Sequence, residues 1–296
     1  MISSGSTRLS RFNADSLLLL ILRAGALLAG LIVVAITLFL IIESLPALRN
    51  IGITRFFSDD TWFHSARQNS GGFNLVPMIV GTLLAMSGAV LIATPVGLCS
   101  ALFCHFYAPP RIAGAYRRII ELLAGIPSVV YGLWGLVVLV PIIREIAPPG
   151  PSLCAAIIIL AIMILPTIAL MSDAAFAQVP REALHNAAAL GLSRGATIRA
   201  VVLPSARSGL LTGVVLETGR AIGETMAVLM VAGNVVRMPS SLFDPIRTLT
   251  SNIALELGYA IGDHRSALFV SGLMLIALII AMVSAAEWIS KGRIYG

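Results

Sequence analysis

Apolar residues in this chain come in long unbroken runs, not in the short periodic pattern of a soluble core. A transmembrane helix needs about 20 predominantly apolar residues. Six stretches reach that length, at about 17–42, 75–104, 119–143, 152–172, 208–233 and 266–289. Pro148, Pro149 and Pro151 separate the third from the fourth, because that segment cannot continue a helix. The pattern predicts an all-α integral membrane protein of six spans. The first run is longer than the roughly 7–15 apolar residues of a signal peptide. An uncleaved first helix is therefore expected, after a short N-terminal segment, 1–16. Residues 290–296 form a short C-terminal segment.

Composition sharpens this picture. The chain is 58% hydrophobic and 11% charged, against roughly 25% charged in a soluble domain. That is too little charge to cover a water-facing surface, and no polar block has the size of a catalytic domain. The formal charge of +6 sits in the loops between apolar runs, which is the positive-inside pattern and not a nucleic-acid patch. With both termini inside, the inner segments hold Arg8, Arg11, Arg111, Arg117, Arg118, Arg181, Arg194, Arg199, Arg207, Lys291 and Arg293. The outer ones hold fewer: Arg49, Arg55, Arg67, Arg144, Arg237, Arg247 and Arg265. The bias predicts cytoplasmic termini, two long outer loops at about 43–74 and 234–265, and one long inner loop at about 173–207.

Little else carries chemistry of its own. Cys99, Cys104 and Cys154 lie within or beside apolar runs and make no metal-type spacing, so they are expected to be small buried hydrophobes. His64, His105, His185 and His264 are scattered and are expected to be satisfied surface residues. No GxxxxGK[ST] motif occurs, so this chain itself is expected to bind no ATP and no metal. Trp62, Trp134 and Trp288 are candidate interface anchors, with Trp62 placed in the outer loop.

The inner loop is patterned. Glu182 to Leu190 predicts a short helix rich in Ala and Leu. Gly191 ends it, Ser193 caps a second short helix reaching Val202, and Pro204 starts the return into the membrane.

The fifth run carries charge. Glu217, Arg220 and Glu224 are spaced three and four apart, which places them on one face of an unbroken helix. A charge at bilayer mid-depth costs about 2.5–3.5 kcal/mol by the lower estimates, so this face must turn inward and find partners. Two readings are open: an ion pair that only locks packing, or an anion path in which the planar Arg fork takes an oxyanion. Gly219 and Gly223, on another face, predict close approach of a neighbouring helix. Two readings are also open for Pro127 and Ser128: a packing kink, or an opened backbone lining the path.

Three blocks carry a family resemblance. The segment from Gly219 to Val228, followed by Gly233 and Asn234, resembles the fifth span of the PstC-type phosphate permease. The sister PstA-type usually has Ala-Pro where this chain has Met226-Ala227. Ile120 to Leu136 is similar to that family's third span, and Pro77 to Thr82 is a weaker match. The inner loop resembles the docking signature of ABC importer permeases, through Ala187, Gly191 and the Leu203-Pro204 pair. It departs at His185 and Asn186, where the family usually has Glu and Ala; Glu182 is the acid one turn upstream.

The resemblance implies a six-helix, type I importer-like permease subunit in a bacterial inner membrane. It is not itself an enzyme; ATP and Mg belong to partner subunits. The implied partners are a second homologous permease, two ATPase subunits and an extracytoplasmic phosphate-binding protein. The implied substrate path comprises Arg220, Glu224, Glu217, Thr225 and Ser128. The implied ATPase contacts are Glu182, His185, Asn186, Ala187, Gly191 and Pro204. The alternatives are a permease for another oxyanion, such as molybdate or sulfate, and an ion-coupled secondary carrier working alone.

Overall fold

The computed structural model describes residues 6–63 and 72–291. His64, Arg67 and Arg293 lie outside the described residues. Among the described residues the fold is all-α apart from one short two-stranded sheet and an isolated bridge between Gly233 and Ile246, and six helical runs are long and apolar enough to cross a membrane.

The first span is α1, Ser6–Asn50. Most of its described side chains are exposed, as a lipid-facing helix requires. It lies against α13, Gly262–Lys291, with Phe39 and Phe269 meeting edge to face at 5.7 Å. The first outer loop holds α2, Arg55–Ser58, and an antiparallel pair, β1 at Trp62–Phe63 and β2 at Gly72–Phe73.

The second span, α3, runs over Val76–Leu102 and continues through a π-helical turn, Phe103–Tyr107. It packs along α7, Leu153–Ala177, the fourth span. The contact is made by small residues. Ala85, Ala89 and Ala93 are buried against Ala155, Ala156 and Ile159, and a Cβ on Gly97 would lie 2.9 Å from Ile168. Lipid supplies no hydrophobic drive between helices, so close backbone approach and dispersion hold the pair. Ser152 caps α7 by accepting the Ala155 N–H.

The third span differs from the predicted 119–143. The helix α4, Pro110–Ala124, ends before the bilayer crossing, and the span is α5, Ser128–Trp134, a π-helical turn Gly135–Leu139, and α6, Val140–Ile146. Pro127 explains the break, since it has no N–H to give and disfavours helical backbone at Ile126. The stretch 119–124 belongs instead to α4, which is amphipathic and carries Arg111, Arg117 and Arg118.

The inner loop is shorter than the predicted 173–207, because α7 continues to Ala177. It contains α8, Arg181–Ala189, and then α9, Arg194–Thr197, capped by the Ser193 hydroxyl. From α9 the chain is helical through a π turn, Ile198–Val202, into α10, Leu203–Gly223. Pro204 therefore does not begin a new element after a turn. It sits just past the π turn, inside a continuous helical run.

The fifth span also departs from the single helix expected over 208–233. It stops at Gly223, and α11, Met226–Val231, resumes after two residues. The second outer loop contains α12, Leu249–Glu256, capped by Thr248. Of the cysteines, Cys104 is buried, Cys154 half-buried and Cys99 exposed. Cys99 therefore is not the core residue expected; it lies on an outward face of α3, where lipid accepts a small apolar side chain.

Candidate translocation site

The charged residues of the fifth span are not on one helical face. Glu217 and Arg220 lie on α10, one turn apart, with Arg220 Nη1 3.9 Å from Glu217 Oε2. Glu224 follows the last helical residue with extended backbone, φ −67° and ψ 125°. Its Oε1 accepts the N–H of Ala227 at 3.1 Å, in the first turn of α11. The cause is electrostatic: the orphan N–H groups that open a helix attract a carboxylate. Glu224 thus marks a break in the span and caps the helix beyond it. Thr225 lies in the break, its hydroxyl donating to the Gly223 carbonyl at 3.2 Å. The sequence signal for the break was present in Gly223-Glu224-Thr225, a helix-ending glycine followed by two capping side chains.

Glu217 and Arg220 are contrasted in environment. The Glu217 side chain is 3% exposed and that of Arg220 is 40% exposed. The Oε2 of Glu217 has no hydrogen-bond partner, and 3.9 Å exceeds a hydrogen bond. A buried carboxylate with one unfilled oxygen and a loosely held guanidinium is a costly arrangement for simple packing. Both side chains line a cavity of about 740 Å³ between α10 and α13, with Thr212, Val215, Gly219 and Ile279.

Gly219 and Gly223 have nothing within 4 Å of where a Cβ would stand. Among the described residues no neighbour meets them at close range: Gly219 lines the cavity against α13, and Gly223 lines another with Thr250 and Leu275.

The broken third span stands beside the broken fifth. A Cβ on Gly132 of α5 would lie 2.8 Å from Ala227 Cα of α11. The Tyr131 hydroxyl, next to it, donates to the Leu123 carbonyl at the end of α4. Ser128 opens α5 directly after Pro127 and is half-buried. It lines neither the cavity of Arg220 nor the one that Thr225 lines.

Between the fourth and fifth spans, α8 exposes Glu182, His185 and Asn186, at helical spacings of three and four, while Ala187 is buried. Gly191 has φ +70°, the left-handed conformation that lets α8 turn sharply. Beneath it, Phe176, Val179, Val202 and Ala206 join α7 to α10 in one apolar cluster, with Leu184 of α8 packed on it.

Two polar clusters had no sequence prediction. At the inner end, Asp173 of α7 accepts Arg117 Nε at 2.8 Å and pairs with His105 Nδ1 at 2.9 Å. That hydrogen bond holds the Arg117 proton more firmly than in free arginine. At the end of α12, Glu256 accepts Trp62 Nε1 at 2.8 Å and Arg247 Nη1 at 2.6 Å, and pairs with His264 Nε2 at 2.8 Å. His264 is 4% exposed, so it is not the surface residue expected. Burial alone would raise the Glu256 carboxyl pKa, but the Trp62 and His264 hydrogen bonds and the Arg247 charge outweigh it and hold it below the ordinary value. The signal was legible in part: an acid inside an apolar stretch, Ile253-Ala-Leu-Glu256-Leu, demands partners.

Comparison with known proteins decides the family. The model for the binding-protein-dependent transport system inner membrane component matches residues 93–295. This chain belongs to that family. A probable ABC transporter permease, YqgH of Bacillus subtilis, is 40% identical over 238 residues, covering 79% of this chain and 76% of that protein. The phosphate transport system permease PstC of Mesorhizobium japonicum is 34% identical over 253 residues, covering 78% and 76%. The PstC 2 protein of Mycobacterium tuberculosis is 31% identical over 286 residues, covering 89% and 88%. Solved ABC importers share the fold. A bacterial alginate transporter in complex with its pentasaccharide-bound periplasmic protein gives a TM-score of 0.64 at 18% identity, covering 95% of this chain and 96% of that one. The MetNI methionine transporter, inward facing, gives 0.59 at 19%, covering 74% and 96%. The permease is thus a multi-pass inner-membrane protein of type I importer-like fold, as its PstC resemblance implied.

Proposed function

We propose that this permease forms half of the path of an ATP-driven inorganic phosphate importer. The observation that carries this is Arg220, half-exposed in a cavity beside the break at Gly223-Glu224-Thr225 and held only loosely by buried Glu217. The PstC names of relatives at 31–34% identity support phosphate as the oxyanion. A second homologous permease covers the open Gly219 and Gly223 face. An extracytoplasmic phosphate-binding protein delivers substrate from outside, and both termini lie in the cytoplasm. One of two ATPase subunits receives the outward face of α8, with Glu182, His185 and Asn186 as the contacts, Ala187 as the buried anchor, Gly191 as the hinge and Pro204 in the rigid stem. ATP and Mg reside on those subunits.

The mechanism follows from the geometry. Without substrate, Glu217 holds Arg220 at arm's length. A phosphate entering the path offers the guanidinium two short charge-assisted bonds in place of one long contact. Glu217 remains as the counter-charge that retakes Arg220 when phosphate leaves. Glu224 gives one oxygen to Ala227, and a carboxylate has lone pairs left to accept a proton-bearing phosphate oxygen. Sulfate carries no such proton near neutral pH. The test is ATP-dependent uptake by the complete transporter in proteoliposomes, with radiolabelled phosphate, sulfate or molybdate. Phosphate uptake with little of the others supports the reading; preference for either of the others overturns it.

A further inference from the structure

The helix α12 touches two places at once. At its start, the Thr250 hydroxyl donates to the Glu224 carbonyl at 3.0 Å, and the Leu249 N–H donates to Thr82 Oγ1 of α3 at 3.1 Å. At its end, Glu256 binds Trp62 of the first outer loop and His264 at the start of the sixth span. Arg247 closes the ring, giving Nε to the Asn234 carbonyl after α11 and Nη1 to Asn252 and Glu256. Glu256 lies six helical steps after Thr250, a reach of about 9 Å.

The bond from Thr250 is not needed to form α12. Thr248 already caps it, accepting the Ser251 N–H at 3.2 Å. The Thr250 hydroxyl meets the Thr248 hydroxyl at 3.1 Å and also reaches a different element, at the residue where the fifth span is broken. An interrupted helix at membrane depth survives only where protein or a watery cavity satisfies its freed backbone groups. Thr250 satisfies one of them, and together with Thr225 and Gly223 it lines a cavity of about 590 Å³.

We propose that α12 is a strut that carries the position of the outer loops to the break in the fifth span, with Thr250 the positioning residue for Glu224 and Glu256 the outer anchor. Movement of the first outer loop or of the sixth span's outer end, transmitted through Trp62 or His264, shifts α12 as a rigid body. The Glu224 carbonyl moves with it, and so does the carboxylate that caps α11. This rests on the Arg220–Glu224 path proposed above.

The test uses the complete transporter in proteoliposomes and reads phosphate taken up per ATP hydrolysed, a ratio that loss of folded protein alone does not change. Thr250→Val removes the donor and keeps the shape; Thr250→Ser restores the donor. The expected result is a drop of about tenfold in the ratio for Thr250→Val, the size of one lost hydrogen bond in a positioned group, with Thr250→Ser near the parent. Glu256→Gln lowers the ratio too, and the double variant is no worse than the worse single one, because both act through one rod. A normal ratio in Thr250→Val, equal loss in Thr250→Val and Thr250→Ser, or strictly additive losses would overturn the strut. If Thr250→Val does not assemble, Glu256→Gln decides by the same ratio. Arg220→Ala run beside them separates the two ideas: a dead Arg220→Ala with a normal Thr250→Val removes the strut alone, whereas a normal Arg220→Ala removes the path as well.

Discussion

At the scale of single residues, the chemistry rests on unequal burial of opposite charges one turn apart. Glu217 is enclosed and Arg220 is not, so the arginine is the member of the pair that a ligand reaches. Sequence spacing alone revealed this pair. It did not reveal that Glu224 leaves the helix, because a spacing rule presumes the helix continues, and only the competing attraction of the α11 N-terminus redirects that carboxylate. Glu256 was passed over for a related reason: Trp62 is 194 residues away in sequence, and His264, eight residues on, lies beyond the end of α12 on another helix, outside any helical spacing rule. Its depressed pKa has a consequence for stability. The contribution is complete above the ordinary carboxylate value of about 4.3 and is lost as pH falls through the lower folded value. Melting temperatures of the solubilised permease are therefore expected to exceed those of Glu256→Gln near neutral pH, with the gap closing in acid. A gap that widens in acid would contradict the assignment of Arg247 and Trp62 as its stabilising partners.

At the scale of elements, two interrupted spans meet through a glycine. The apolar runs made six crossings legible, since lipid imposes length and composition on each. The interruptions were less legible. Pro127 announces one, while Gly223-Glu224-Thr225 announces the other only to a reader already expecting caps. Gly132 is the test of their meeting. Gly132→Ala forces a methyl to 2.8 Å from Ala227 Cα, and overpacking of this kind costs about 1–3 kcal/mol. A lower melting temperature is expected, together with reduced uptake. Unchanged values would mean that α5 and α11 do not pack this closely. The turn after α8 makes a separate demand. Gly191→Ala places a Cβ in a left-handed conformation, at a cost of about 1–2 kcal/mol. The expected outcome is weaker stimulation of ATP hydrolysis by the loaded binding protein, with basal hydrolysis and membrane insertion unchanged.

At the scale of the whole molecule, α10 sets its arginine on an exposed apolar side. Leu211 and Leu216 are exposed on α10 beside the open glycines, on the side where Arg220 emerges. An anion path lined on that side by this chain alone would be half a path, which is why a second permease belongs to the account. The inner face of α8 and the outer ring around Glu256 lie at opposite ends of the helices that bear the break. Under the proposed function, force from nucleotide closure and contact from a binding protein would converge on residues 223–225. The most direct measurement of the central claim is phosphate uptake by the reconstituted transporter carrying Arg220→Ala, compared with Arg220→Lys and the parent. The account predicts that Ala abolishes uptake and that Lys, which keeps the charge but not the planar fork, retains only a small fraction, while all three assemble and hydrolyse ATP. Undiminished phosphate uptake in Arg220→Ala would contradict it.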